Sequence, residues 1–500
     1  HDPGLVVGPP PAENMRAGLR APILTSVVVL PFQNRNPDED DRFFADGLTE
    51  DLIHSLSRVE GLRVISRTSA FSFRERTSDM REVCRQLRAQ AFVSGSVRRA
   101  GDRIRINAEL VDVVDGYQLW SGRYDRGRRD IFAVQEEVAQ AIASALRTKL
   151  DGVPVVAVPH RTTNFDANDA FLEGRYFWHQ QTEEGFRQAV ALCERATSLD
   201  PDFAQAHAWL AIVRTYWTIF GYAPPAEVIP AAKEGAYRAM SIDPTLTEAH
   251  LTLGLIAQYA DWDWEATERH YRRAIELSPG NATARTWFAL FLARMGKEDE
   301  AVAQAAAGLD LDPLAHESSW LYLIVLGQLA RHAEAVALGH KAARLHPLSV
   351  HVHWPTGMAH VGLGEPDRGL EWIRDGLACD PTNPYARAFE VTALAQLGRM
   401  DEAEQAVEAL VSEKEGAFFS PFILAIAVLG VGDREGAVDL LEESMKAGDA
   451  MLPFINSPMF SPVAGEPRFE ALLDALNLPN LYGVDSILRH RQAWPSLPAR

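Results

Sequence analysis

The sequence predicts two folds in one chain: an α+β amino-terminal domain on a single mixed sheet, in the order βαβαβββα, followed by an all-α superhelical solenoid. Three observations predict it. Prolines recur at Pro201, Pro244, Pro279, Pro313, Pro347 and Pro381, with steps of 43, 35, 34, 34 and 34 by subtraction of their numbers. A spacing kept over most of a chain is an internal repeat. Ahead of the repeats, residues 25–125 alternate apolar and polar side chains in short runs, separated by helical stripes. Charge divides at the same place. The net charge is −19, yet residues 25–150 hold 20 Lys+Arg against 19 Asp+Glu, so nearly all the deficit falls in the repeats.

The residues before each proline share a grammar. Five positions ahead stands Ala196, Ala239, Ala274, Gly308, Ala342 or Gly376, and twelve ahead stands Ala189, Ala232, Thr267, Ala301, Ala335 or Gly369. Small residues let two antiparallel helices approach closely, and the proline stops the second helix. This pattern resembles the tetratricopeptide repeat, a 34-residue helix-turn-helix unit. Consensus tryptophan and tyrosine positions are replaced in places, for example by Arg285 and Leu292. Such units bury their apolar faces only by stacking.

In chain order, residues 1–24 carry five prolines and three glycines and read as a flexible Pro-rich linker. Because the chain opens on His1 rather than Met, a leader or a whole domain is expected to precede it. Residues 25–150 hold the α+β domain. Ser26 to Phe32 (SVVVLPF) is an apolar β-branched run suited to a buried strand. Phe44, Leu48, Leu52, Ile53 and Leu56 stripe a first helix within Phe43 to Val59. Leu62 to Arg67 is a strand, Asp79 to Ala89 a helix and Ala91 to Arg99 a strand. Ala100-Gly101-Asp102 turns the chain into Arg103 to Val114, which alternates Ile104, Ile106, Ala108 and Leu110 with polar partners. Tyr117 to Tyr124 is the last strand, and Asp130 to Leu150 a long amphipathic helix. The helices are expected on one face of the sheet.

The wording VVVLPF, FFADGLTEDLIHSLSR, LRVISRTSAFSF, AFVSGSVRRAGDRIRINAELVD, LWSGRYDR and DIFAVQEEVA resembles the TolB amino-terminal-like domain. That domain is known in bacteria ahead of tetratricopeptide repeats. The whole arrangement, over roughly residues 25–480, is similar to the carboxy-terminal half of class III adenylate cyclases and winged-helix regulators. The resemblance implies a bacterial module that serves an effector. It leaves the compartment open, with a periplasmic or extracytoplasmic setting favoured over the cytoplasm.

Residues 151–167 are a linker with Pro154 and Pro159, either hinge or brace. The solenoid runs over 168–480, with copies beginning at Ala170, Ala204, Thr247, Ala282, His316, Val350 and Pro384. About nine extra residues between Trp217 and Pro230, carrying Phe220, Tyr222, Pro224 and Pro225, account for the 43-residue step. Asp261-Trp262-Asp263-Trp264 makes one turn a residue longer, and its tryptophans read as a plug between repeats. A last pair, Ser420 to Lys446, lacks the closing proline, and Pro467 to Pro479 reads as a capping helix after an irregular turn. Residues 481–500 are a tail.

Composition sets limits on function. With 47% hydrophobic and 23% charged residues, the chain is of ordinary globular make-up. An acidic solenoid disfavours non-specific nucleic-acid or anionic-membrane binding, and no 18-residue apolar run is present to span a bilayer. Cys84, Cys193 and Cys379 are too scattered for a disulfide framework or a zinc site and read as small buried residues. His316, His332, His340, His346, His351, His353 and His360 lack carboxylate or cysteine partners at ligand spacing and read as helix-surface or interhelix residues. Gly362-Leu363-Gly364 falls at a repeat turn rather than between strand and helix, which argues against a phosphate loop. No catalytic constellation, cofactor or metal is predicted.

In tetratricopeptide repeats, set positions of each first helix face the concave groove. Here they fall on Thr286, Leu290, Glu317, Trp320, Ile324, His351, Trp354, Met358, Tyr385 and Thr392. This strip is mainly apolar and aromatic, suited to an extended or helical peptide. The Lys, Arg and Asn of the chaperone-binding subclass are absent from it. The same side chains are alternatively packing between helices. The expected function is a non-catalytic protein-interaction and regulatory module. The alternatives are the sensory half of a signalling enzyme such as a nucleotide cyclase, or a structural component of an envelope assembly, for which self-association is the sign.

Overall fold

The computed structural model describes residues 26–35, 40–57, 59, 62–71, 73–74, 80–100, 103–127, 131–147, 162–178, 182–220, 222–413, 420–479 and 481. The linker prolines, Gly101-Asp102 and the tail after Leu481 lie outside them.

The α+β unit follows the expected order. Strands β1 (Ser26–Val29), β2 (Gln33–Asn34), β3 (Arg63–Val64), β4 (Ala91–Ala100), β5 (Arg103–Asp112) and β6 (Gln118–Gly127) form one sheet in the order β3-β1-β4-β5-β6. Pro31 breaks the first apolar run, so β1 and β2 both lie parallel to β4, at Val27↔Ala91 and Gln33↔Ser96. The β4–β5–β6 meander is antiparallel, and the alternating residues of β5 bury Ile104, Ile106, Ala108 and Leu110.

The helices do not keep to one face. Val27 and Val29 pack with α1 (Asp40–Leu56) and α4 (Ile131–Arg147), whereas Val28 packs with Val83, Cys84 and Leu87 around α3 (Met80–Gln86). Three consecutive buried valines mark a strand covered on both sides, and that run was the signal for it. A short helix, α2 (Arg67–Phe71), also takes the end of the stretch expected as strand.

The rest is helical. The pairs are α5 (Phe165–Trp178) with α6 (Glu183–Leu199), α7 (Ala204–Ile219) with α8 (Pro225–Ile242), α9 (Thr247–Ile256) with α10 (Trp264–Leu277), and α11 (Ala282–Arg294) with α12 (Glu298–Leu311). They continue as α13 (His316–Gln328) with α14 (His332–Leu345), α15 (Val350–Gly362) with α16 (Pro366–Cys379), α17 (Pro384–Gln396) with α18 (Met400–Glu413), and α19 (Pro421–Gly430) with α20 (Arg434–Ala447). Each periodic proline sits two residues past the end of a second helix. Ala189, Ala232, Thr267, Ala301 and Ala335 are at most 1% exposed, as the close approach of paired helices requires. Thr182, Asp263, Asn281, Ser349, Asn383, Ser420 and Asp433 cap helix starts by accepting a backbone N–H.

The two irregular repeats absorb most of their extra residues within helices. The 43-residue step places three in α7, four in α8 and two in the turn, relative to α11 and α12. The single extra residue of the next copy becomes a π-helical turn, Ala257–Asp261. A second period appears in the backbone. Trp262, Gly296, Ala330, Gly364, Gly398 and Gly432 all have positive φ, and they stand 34 residues apart. Each ends a first helix in the left-handed conformation, which favours glycine and penalises Trp262 and Ala330.

The α+β unit is fastened to the repeats at two places. Glu50 of α1 lies 5% exposed between the guanidinium groups of Arg67 and Arg175, the latter on α5, and Phe43 meets Tyr176 edge-on at 4.8 Å. Farther along, the Ser66 and Ser69 hydroxyls donate to the buried Asp312 carboxylate. Leu314 N donates to Ser69 Oγ at 2.8 Å, and Arg63 donates to Asp310 O at 3.1 Å. Burial pushes the Asp312 carboxyl up to about 6, against the lowering pull of both serines.

Among the described residues, Cys84 and Cys193 are buried, with thiols pushed up to about 12 by burial. Cys379 is exposed, contrary to its reading as a buried residue, because it ends α16 on the solvent side. No helix among the described residues is long and apolar enough to cross a membrane.

Candidate functional site

The first helices of the repeats converge on one recess. Leu290 of α11, Trp320 and Ile324 of α13, His351, Trp354 and Met358 of α15, and Tyr385 of α17 all line it. These are seven of the ten residues expected in the groove, and their 34-residue spacing places them side by side along the superhelix. The remaining three turn elsewhere. Thr286 donates to Ala282 O at 3.1 Å and fills the space beside Gly308, and Thr392 packs against Gly430. Both are short side chains, Thr286 turned to its partner helix α12 and Thr392 to the end of α19 in the next repeat, which leaves the recess to bulkier neighbours. Glu317 is half-buried in a network of its own, accepting from Tyr216 Oη at 2.8 Å, Thr283 Oγ1 at 3.0 Å and Trp287 Nε1 at 3.1 Å. Burial raises its pKa although these donors oppose the shift.

Other lining residues escaped the positional rule. Ile219 and Phe220 end α7, Tyr259 sits in the π-turn, and Trp287, Phe389, Phe422 and Ile426 come from later first helices. Phe220 belongs to the insertion, whose aromatic content was the available signal. Trp287 meets Tyr216, Tyr259 and Trp320 edge-on at 5.7, 5.8 and 6.0 Å, and Trp354 stacks on Phe389 at 5.0 Å. The walls therefore hold one another in place.

The most distant part of the lining is carboxy-terminal. The stretch expected as an irregular turn forms two 3₁₀ helices, Leu452–Asn456 and Pro458–Val463, that fold back into the superhelix. Met451, Phe454, Ser457, Pro458 and Met459 make one side of the recess. Gln328 donates to Asn456 O at 2.8 Å, Asn456 donates to Arg294 O at 2.8 Å, and the Arg294 guanidinium lies 3.6 Å from the Phe454 ring centre. The capping helix α21 (Pro467–Ala475) then meets the third repeat, where Trp264 Nε1 donates to Leu476 O at 2.7 Å. Trp264 thus ties the third repeat to the cap, while both Trp262 and Trp264 pack against the core of the repeats.

The recess encloses a cavity of about 130 Å³ and carries no Asp, Glu, Lys or Arg in its lining. His351 lines it, and burial lowers its pKa to about 4, so the ring is neutral at pH 7. The nearby His316, also pressed by His351 and His346, falls to about 3. His332, His353 and His360 are buried between helices. Chemically, the recess presents rings, thioethers and a few neutral polar atoms.

Residues 24–142 match the family described as HilA/YgeH-like transcriptional regulator, second domain, which coincides with the stretch that resembles the TolB amino-terminal-like domain. A Rhizobium meliloti (strain 1021) protein named "Putative adenylate cyclase 3" is 41% identical over 212 residues, covering 42% of this chain. The chain spans about a third of that relative's length, 35%. Among solved structures, the human IFIT1 dimer with PPP-AAAA has a TM-score of 0.41 at 14% identity, covering 64% of this chain and 82% of its own. A tetratricopeptide repeat protein from Parabacteroides merdae has 0.36 at 14%, covering 54% and 99%. PilF of Pseudomonas aeruginosa has 0.34 at 17%, covering 44% and 94%. These scores are too low for curvature or function to transfer.

Proposed function

We propose that the chain is a non-catalytic interaction and regulatory module, in which the concave face of the repeats receives a partner while the α+β unit is held fixed against it. The observation that carries this reading is the convergence of the first helices of repeats two to eight on one apolar recess. A packed core would fill such a space; here it stays open and is lined by aromatic anchors of the kind that dominate binding energy. The seam around Glu50 and Asp312 supports transmission, because a change in superhelix curvature would reach the α+β unit through Arg175 and Asp312.

A second reading is favoured by the Rhizobium meliloti relative: the module is the sensory part of a nucleotide-cyclising enzyme. Capture of partners by the full chain, with wild type against Trp354→Ala, tests the first reading. A partner retained by wild type and lost by a folded variant is expected. Turnover of a nucleoside triphosphate by the purified chain would overturn the non-catalytic reading.

A further inference from the structure

We propose that the recess is a binding site for a neutral, mainly apolar small molecule that carries a hydrogen-bond acceptor. This deepens the proposed function, since it rests on the concave face being the functional face and gives that face a regulatory ligand.

Size comes first. An engineered apolar cavity of about 150 Å³ holds one benzene. The 130 Å³ here therefore suits a ligand of roughly six to ten non-hydrogen atoms. One ring with a short substituent fits this volume, beneath whatever partner lies across the mouth of the recess.

Polarity comes next. Trp320 Nε1, Trp354 Nε1 and Ser457 Oγ belong to lining residues and are buried with no hydrogen-bond partner. Two of the three are obligate donors, and buried donors without acceptors are costly. An acceptor oxygen on the ligand would satisfy them. The walls carry no fixed charge: the lining has no Asp, Glu, Lys or Arg, and its two imidazoles are His332 and His351, the latter held neutral by burial. The nearby buried Arg294 guanidinium is not a lining residue: it lies against the Phe454 ring and donates through Nη2 to Tyr259 Oη, while its Nε and Nη1 have no hydrogen-bond partner.

Access and control follow from the chain's own geometry. One wall is the 451–459 segment, tied to α13 through Gln328 and to α11 through Asn456. A ligand seated there touches both the repeats and the carboxy-terminal segment, and so couples the two.

Gly327 supplies the decisive variant. It lines the recess, and a Cβ placed on it meets no atom within 4 Å. Gly327→Leu therefore fills the site from a helix without a backbone clash. The experiment is calorimetric titration of the full chain with acetophenone, toluene and benzoate. Acetophenone is expected to bind, benzoate at least about tenfold more weakly, and Gly327→Leu to weaken acetophenone by at least about tenfold at an unchanged or higher melting temperature. The pair Trp320→Phe and Trp354→Phe keeps the rings and removes both donors, so the preference for acetophenone over toluene should shrink in it. The proposal is overturned if no neutral probe binds wild type, if Gly327→Leu binds acetophenone as wild type does, or if benzoate binds as tightly. Acetophenone binding without any captured partner would remove the protein-interaction reading and keep this site; capture without acetophenone binding would do the reverse.

Discussion

The concave recess and the seam between the α+β unit and the repeats are both buried, but by opposite chemistry. In the seam both buried carboxylates are matched, Glu50 by two guanidinium groups and Asp312 by two hydroxyls, although Arg175 Nε has no acceptor. In the recess the walls are apolar, and two indole N–H groups and one hydroxyl have none. Native structures rarely leave buried donors unpaired, and a buried network is stable only when complete. The difference teaches that the seam matches its carboxylates from within, whereas the recess, on the proposed reading, is completed by a ligand. Mutations should accordingly be punished in one place and tolerated in the other.

The largest expected effect breaks the seam. Glu50→Gln leaves Arg67 and Arg175, 19% and 15% exposed, without their shared counter-charge. A loss of about 3 kcal/mol is expected in urea denaturation. A loss no greater than that of an exposed ion pair would erase the contrast with the recess.

Acid should separate the two regions by sign. Asp312 has a folded pKa raised to about 6 by burial, above an unfolded value of about 3.9. Its contribution is fully present below about pH 4 and is lost as pH rises through about 6. His316 and His351 behave oppositely, since burial depresses them to about 3 and about 4. Their contribution is present above about pH 6.5 and is lost as pH falls through those values. Comparing wild type with Asp312→Asn isolates the seam. The difference in stability should change by on the order of 2–3 kcal/mol between pH 4 and pH 7, read from denaturation at each pH. A difference constant with pH would contradict the burial of that carboxylate.

Smaller effects sharpen the comparison. Ala330 holds φ at +54°, where the turns at 296, 364, 398 and 432 have glycine. Ala330→Gly should stabilise by about 1 kcal/mol through relief of the left-handed penalty; equal or lower stability in denaturant would contradict that. Gly327→Leu should cost nothing and gain about 0.5 kcal/mol from helix propensity, seen as a small rise in melting temperature. A clear fall would mean that the recess is packed more tightly than its open space at Gly327 indicates.

What was legible in the sequence was what is local or periodic. The proline spacing gave the helix pairs, and the alternation of Ile104, Ile106, Ala108 and Leu110 gave β5. The groove was legible as far as the period reaches, at Leu290, Ile324 and Met358. It failed at Thr286 and Thr392, whose short side chains turned to α12 and to the end of α19, and at Glu317, drawn into its own network with Tyr216, Thr283 and Trp287. The seam was not legible, because Ser66 and Asp312 meet across 246 residues and neither lies in a pattern. The 451–459 wall escaped for the same reason: its 3₁₀ turns have no period, and only tertiary contact with Gln328 and Arg294 places it. Coverage of both sheet faces was written in three consecutive valines, whose meaning depends on the helices that flank them.

The central claim is that the recess binds and the seam does not. Hydrogen–deuterium exchange of the full chain with and without saturating acetophenone tests it most directly. Slower exchange confined to residues 320–327, 354–359 and 451–459, with residues 63–69 and 310–314 unchanged, is the predicted result. Protection at the seam instead, or no local protection under conditions where acetophenone is bound, would contradict it.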